Sequence, residues 1–159
     1  MSQGDRREAL IDQLQFLGQM ASTETALFHQ VAAAKCGLGI TDMKTISVLL
    51  QEGPMTAGQI AQRLSLTTGA VTNVIDRLQR RNIVERVPDA KDRRRVIVTV
   101  NPEALTTTDN VYRSIGEAFS KLLGTYSTEE LKFLMQYHQA SIELTKQEIA
   151  KLANSEGEG

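Results

Sequence analysis

The chain has 159 residues, with 18 Lys and Arg against 19 Asp and Glu for a formal charge of −1, and is 41% hydrophobic and 23% charged. That length suits one domain with a sizeable core, and the composition is that of a folded soluble protein rather than a disordered one. One cysteine and two histidines give neither a disulfide framework nor the ligands of a zinc site, and no apolar run approaches the roughly 18 residues of a membrane span.

The polar start, Met1 to Glu8, lacks an apolar secretory core, so the expected location is the cytoplasm. A long helix is predicted from Arg6 to Lys35, with Leu10, Leu14, Leu17, Ala21, Leu27, Phe28 and Val31 at three- and four-residue steps. Gly37 and Gly39 end it, and Thr41 is expected to cap a helix through Met43, Ile46, Leu49 and Leu50 that stops at Gly53-Pro54. Thr56-Ala-Gly-Gln59 has capping-box spacing before Ile60, Ala61 and Leu64.

After Ser65-Leu66-Thr67, a helix from Thr68 to Asn82 places Val71, Val74, Ile75 and Leu78 on one buried stripe. Its opposite face carries Gly69, Thr72, Asn73, Asp76, Arg77 and Arg80. The period then shortens to that of strands. Ile83–Val87 and Val96–Val100 flank the charged loop Pro88–Arg95, which makes a hairpin. Asn101-Pro102 restarts a helix running to Leu123 through Leu105, Val111, Ile115, Ala118, Phe119 and Leu122. Ser127-Thr-Glu-Glu130, a second capping box, opens a last helix with Leu131, Leu134, His138, Ile142, Thr145, Ile149 and Leu152 on one stripe. The expected organisation is residues 1–36 as an N-terminal helix, 40–100 as a core, 101–153 as C-terminal helices and 154–159 as a disordered tail. The fold class is mainly α with a small β-hairpin.

The charge is unevenly distributed. Residues 63–95 hold nine of the eighteen basic side chains and four acids, a net +5, whereas residues 1–62 sum to −2 and 96–159 to −4. A basic stretch inside an acidic chain is the pattern of a localised polyanion site. Two short helices followed by a basic hairpin form a winged helix-turn-helix, and the residue types suit B-DNA. Thr67, Thr68, Gly69, Ala70, Thr72 and Asn73 are small or hydrogen-bonding at the start of the second helix, where the helix dipole favours phosphate. Arg77 and Arg80 can neutralise phosphates, and Arg93, Arg94 and Arg95 are long enough for one to enter a minor groove. No Ser/His/Asp or Cys/His arrangement, phosphate-cradling glycine loop or HExxH is present, so the reading is a DNA-binding protein with no cofactor rather than an enzyme. The competing class is a winged helix used for protein contacts, with the hairpin a solvated charged face.

"LGITDMKTISVLL", "MTAGQIAQRLSLTTGAVTNVIDRLQRRNIVERV" and the wing "PDAKDRRRVIVTV" together resemble the multiple-antibiotic-resistance regulator (MarR) family of bacterial transcription factors. The resemblance implies a winged helix-turn-helix core flanked by N- and C-terminal dimerisation helices. It also implies a homodimer on a pseudo-palindromic operator in double-stranded DNA, repressing nearby genes until a small-molecule effector binds. By the same analogy Asp92 positions the wing by pairing with Arg94 or its neighbours, and Arg94 is the wing-tip residue. A pocket of the kind the family implies would be lined by His29, Met43, Ile46 and Tyr112, residues whose alternative place is ordinary core. Some relatives sense oxidants through cysteine near the start of the first helix. Cys36 lies at its end beside Lys35, so a redox role competes there with that of a small packed hydrophobe.

Overall fold

The computed structural model describes residues 3–155, and the side chains of residues 4–103 and 111–153. In order, the elements are α1 (Gln3–Lys35), α2 (Ile40–Glu52), α3 (Ala57–Leu64), α4 (Thr68–Arg80), β1 (Val84–Pro88), β2 (Val96–Val100), a 3-10 turn (Pro102–Leu105), α5 (Thr106–Leu123) and α6 (Thr128–Ser155). The chain divides into two compact units, one through Thr108 and one from Asp109.

In the first unit α1 ends where Gly37 adopts φ +64, a conformation that only glycine takes cheaply. The predicted cap of α2 is corrected. Gly39, not Thr41, is the N-cap, and the carboxylate of Asp42 accepts its N–H at 2.9 Å. An acid three residues into a helix reaches back to the cap amide, so the helix starts at a cap that has no side chain of its own. Thr41 instead sits in the first turn, its carbonyl accepting the Thr45 hydroxyl.

The box at Thr56 forms as expected, with Thr56 N–H donating to Gln59 Oε1 at 2.9 Å and Gln59 N–H to Thr56 Oγ1 at 3.2 Å. Ser65, left-handed at φ 52, closes α3 and turns the chain toward α4. Thr67 caps α4 by accepting the Ala70 N–H. Asn82 at φ 58 then leads from the end of α4 into β1.

Val71, Val74, Ile75 and Leu78 are all buried, as the stripe predicted, and pack in a core with Met43, Ile46, Leu49, Ile60, Val84 and Val98. The hairpin is antiparallel, with Val84 opposite Val100 and Arg86 opposite Val98. A short bridge joins Met55 to Val98, each donating its N–H to the other's carbonyl, so the α2–α3 connection forms a third rung beside the wing.

The second unit consists of most of α5 and all of α6, joined at Gly124 and reopened by the Ser127–Glu130 box. There Glu130 accepts both the Ser127 amide and hydroxyl, which holds its carboxyl below the ordinary range. The helix runs through Ser155, so Asn154 and Ser155, expected in the tail, are helical; residues 156–159 lie outside the described residues. Leu105, placed on the α5 stripe, lies outside the described side chains. Of the predicted stripes of α1 and α6, Leu10, Leu14, Leu17, Leu27, Val31, Ile142, Ile149 and Leu152 are exposed in the single chain. Among the described residues no helix is long and apolar enough to cross a membrane.

Ile75 has no exposed surface. Ile75→Ala is expected to lower unfolding free energy by about 2–5 kcal/mol, read from urea denaturation, because it removes apolar burial and leaves a cavity.

Candidate nucleic-acid interface

The N-terminal turn of α4 and the wing present the residues predicted to meet DNA. Thr67, Thr68, Gly69, Thr72 and Asn73 are exposed and Ala70 is half-buried. The Thr72 hydroxyl donates to the Thr68 carbonyl at 2.8 Å, so toward a ligand it offers an acceptor. Asn73 keeps its amide on the open face. Arg80 is exposed, its Nε donating to the Asp76 carbonyl one turn back.

The wing is a compact loop built by its acids. Asp89 Oδ1 accepts the Lys91 amide at 2.9 Å, and Asp92 Oδ1 accepts both the amide and Nε of Arg94 at 3.1 and 3.2 Å. Two backbone bonds, from Asp89 N–H to Arg95 and from Arg95 N–H to Asp92, close the loop. The expected pairing of Asp92 with Arg94 is therefore present. The Arg94 side chain is nevertheless 91% exposed, whereas Arg95 lies 4.0 Å from Asp89. Arg93 and Lys91 have no carboxylate partner among the described residues, and both are exposed.

Arg77 is placed differently from the sequence expectation of an outward phosphate contact. Its Nε lies 3.1 Å from both oxygens of Asp42, and Nη2 donates to Oδ1 as well. Asp42 is 2% exposed, against 48% for the Arg77 side chain. The hydrogen bonds that Arg77 donates to the Asp42 carboxylate, aided by its charge, hold the guanidinium pKa above its ordinary value. The physical reason is local. Asp42 falls with Ile46 and Leu49 on the buried stripe of α2, and a buried carboxylate needs a cation.

Three other arginines of the basic segment are tied inside the unit. Arg81 donates to the carbonyls of Cys36 and Gly37, Arg86 to Asp76 and Gln79, and Arg63 to Glu52. Sequence reasoning missed Asp42 and these pairings. The one available signal was the acid itself, since Asp42 shares a helical face with Thr45, Ile46 and Leu49.

Of the residues assigned to a pocket, Met43 and Ile46 are core, 6% and 2% exposed, so they fill the first unit. His29 is exposed on α1 with its ring edge-on to Phe28, and Tyr112 belongs to the second unit. Cys36 is half-buried, and its carbonyl is a partner of Arg81. No cluster of three or more His, Cys, Asp or Glu poised for a metal occurs among the described residues.

Residues 38–96, which span this interface, match the MarR family. The Bacillus subtilis protein described as uncharacterized HTH-type transcriptional regulator YcgE is 35% identical over 130 residues, covering 82% of this chain and 84% of that one. The chain belongs to the MarR family. A MarR family protein from Bacillus stearothermophilus shares the fold, with a TM-score of 0.63 at 18% identity over 88% of this chain and 96% of its own. The S. aureus MepR F27L mutant, bound to an oligodeoxyribonucleotide, also shares it, with a TM-score of 0.54 at 23% identity over 84% and 94%. As a transcriptional regulator of the MarR family, the protein carries the winged helix that the sequence pattern implied, with β1 and β2 as the wing.

The two kinds of ion pair in this MarR-family unit differ in worth. Arg77→Ala leaves a buried charge without its partner and is expected to cost about 2–3 kcal/mol in urea unfolding, less than a fully enclosed pair because half of Arg77 faces water. Arg63→Ala breaks a pair whose side chains are 35% and 31% exposed, and is expected to cost under about 1 kcal/mol in the same measurement.

Proposed function

We propose that this MarR-family regulator binds double-stranded DNA sequence-specifically as a homodimer and acts as a repressor that a small-molecule effector releases. The observation that carries the reading is the pairing of two exposed surfaces: the open ridge of α4, with Gly69, Thr72, Asn73 and Arg80, and a wing that exposes Arg93 and Arg94. Small residues at Thr67 to Ala70 let the start of α4 approach the major groove, and its free N–H groups favour phosphate there. Asn73 offers both a donor and an acceptor to a base edge. Arg80 lies about two turns further on along the same face, where it would reach backbone phosphate. Arg94, held at its base by Asp92, would enter the flanking minor groove.

Dimerisation is supported by the apolar side chains that α1, α5 and α6 leave exposed in the single chain, among them Leu10, Leu14, Phe119, Leu122, Phe133 and Ile142. A twofold dimer places two recognition helices about one turn of B-DNA apart and calls for a pseudo-palindromic operator. The resemblance to the family supports repression and effector release. The S. aureus structure with bound oligodeoxyribonucleotide supports DNA as the partner of this fold.

Fluorescence-anisotropy titration with duplexes from the gene's own upstream region, in the presence of excess mixed-sequence DNA, tests the reading. Tight binding that survives competitor and weakens steeply with salt is expected. Binding abolished by competitor would favour the protein-contact reading of the basic hairpin. In the same assay Asn73→Ala is expected to cost about 1–3 kcal/mol against the operator and almost nothing against mixed-sequence DNA. Equal losses on both would make Asn73 a phosphate contact. Arg94→Ala is expected to weaken operator binding while leaving the dimer intact by sedimentation.

A further inference from the structure

Arg77 in α4 and Arg81, the C-cap that follows it, lie one helical turn apart, and both reach the corner Cys36–Asp42 between α1 and α2. Arg77 takes the Asp42 carboxylate, and Arg81 donates to the carbonyls of Cys36 and Gly37, the Cys36 contact being 2.9 Å. Helix geometry separates these two from the open ridge. With Val71, Val74, Ile75 and Leu78 at the back, Gly69, Asn73 and Arg80 fall near the centre of the exposed face. Arg77 and Arg81 lie about 60° and 100° to one side of that centre. On the other flank Arg86 of β1 holds Asp76 and Gln79. The recognition helix is thus gripped on both flanks by arginine contacts and left open between them.

We propose that Arg77 and Arg81 are positioning residues rather than DNA contacts. Through Asp42 and the Cys36 and Gly37 carbonyls just past the end of α1 they set the pose in which α4 offers Asn73 and Arg80 to the groove. Arg77 spends Nε and Nη2 on a carboxylate that is 2% exposed, and turning that edge of the guanidinium to a phosphate would leave the buried charge without its counterion. Arg81 meets carbonyls that have no partner within α1, at the negative end of its dipole, where a cation is favoured. The proposal rests on the DNA-binding reading above and assigns the arginines of the same helix to two different tasks.

The test compares variants on an upstream duplex that the wild-type protein selects and on a mixed-sequence duplex, each across a range of salt. A cation on a phosphate contributes about 0.9 to the slope of log K against log salt, so Arg80→Ala in a dimer is expected to reduce the slope by about 1.8. Arg77→Ala and Arg81→Ala are expected to leave the mixed-sequence slope unchanged and to lower the ratio of specific to non-specific binding about tenfold, the worth of one base contact. Asp42→Asn is expected to lower the ratio in the same way, although it removes no positive charge. The paired variant Asp42→Asn with Arg77→Gln keeps hydrogen bonds across the corner without a buried charge. It covers the case in which Arg77→Ala does not fold, and is expected to recover most of the ratio with the wild-type slope.

A slope reduced by about 1.8 in the paired variant, or tighter mixed-sequence binding by Asp42→Asn, overturns the proposal, since Arg77 would then be a phosphate ligand that Asp42 restrains. An unchanged ratio in folded Arg77→Ala and Asp42→Asn overturns it too, because the corner would then serve stability alone. Wild-type protein that selects no upstream duplex overturns the DNA reading together with the proposal, and that result is seen before any variant is compared.

Discussion

A carboxylate removed from water must be satisfied where it stands, and the winged-helix unit is arranged around one. Asp42 accepts the Gly39 amide with one oxygen and the Arg77 guanidinium with both. The first contact starts α2 directly after the glycine turn that ends α1. The second fixes one flank of α4 against the first turn of α2. One side chain thereby decides where a helix begins and how the next but one is oriented, while the apolar stripe of α4 supplies most of the burial.

The same logic changes the meaning of the basic segment. A net +5 over residues 63–95 reads as a broad phosphate-binding surface, yet much of that charge is committed inside the unit. Arg63, Arg77 and Arg86 meet carboxylates on other elements, and Arg81 meets backbone carbonyls. Asp92 and Asp89 shape the wing through Arg94, Arg95 and the loop amides. The exposed cations of this segment that are not tied to another element are fewer: Arg80 on the ridge, and Lys91, Arg93, Arg94 and Arg95 on the wing. Fixed geometry with few open cations favours sequence discrimination over general adhesion to polyanions.

The sequence made the local structure legible and left the long-range pairing hidden. Four apolar residues at three- and four-residue steps were enough to find the buried face of α4. Thr56 with Gln59, and Ser127 with Glu130, marked two helix starts through spacing alone. The hairpin declared itself by the change of period at Ile83. Asp42 escaped because a glycine cap has no side chain to announce it, so Thr41 drew the assignment. Arg77 was placed on the open face because a helical wheel divides residues into two halves, whereas its partner comes from an element 35 positions earlier in the chain. Met43 and Ile46 illustrate the opposite limit. Lining a pocket and filling a core demand the same residue types, and only their burial separates the two.

Hydroxyl-radical footprinting on the gene's upstream DNA tests the central claim, that a dimer of this chain reads DNA with α4 and the wing. The account predicts two protected half-sites on one face of the duplex, centred about 10 base pairs apart, each flanked by a short minor-groove protection that disappears in Arg94→Ala. A lone half-site, or protection without a fixed position along the duplex, would contradict it.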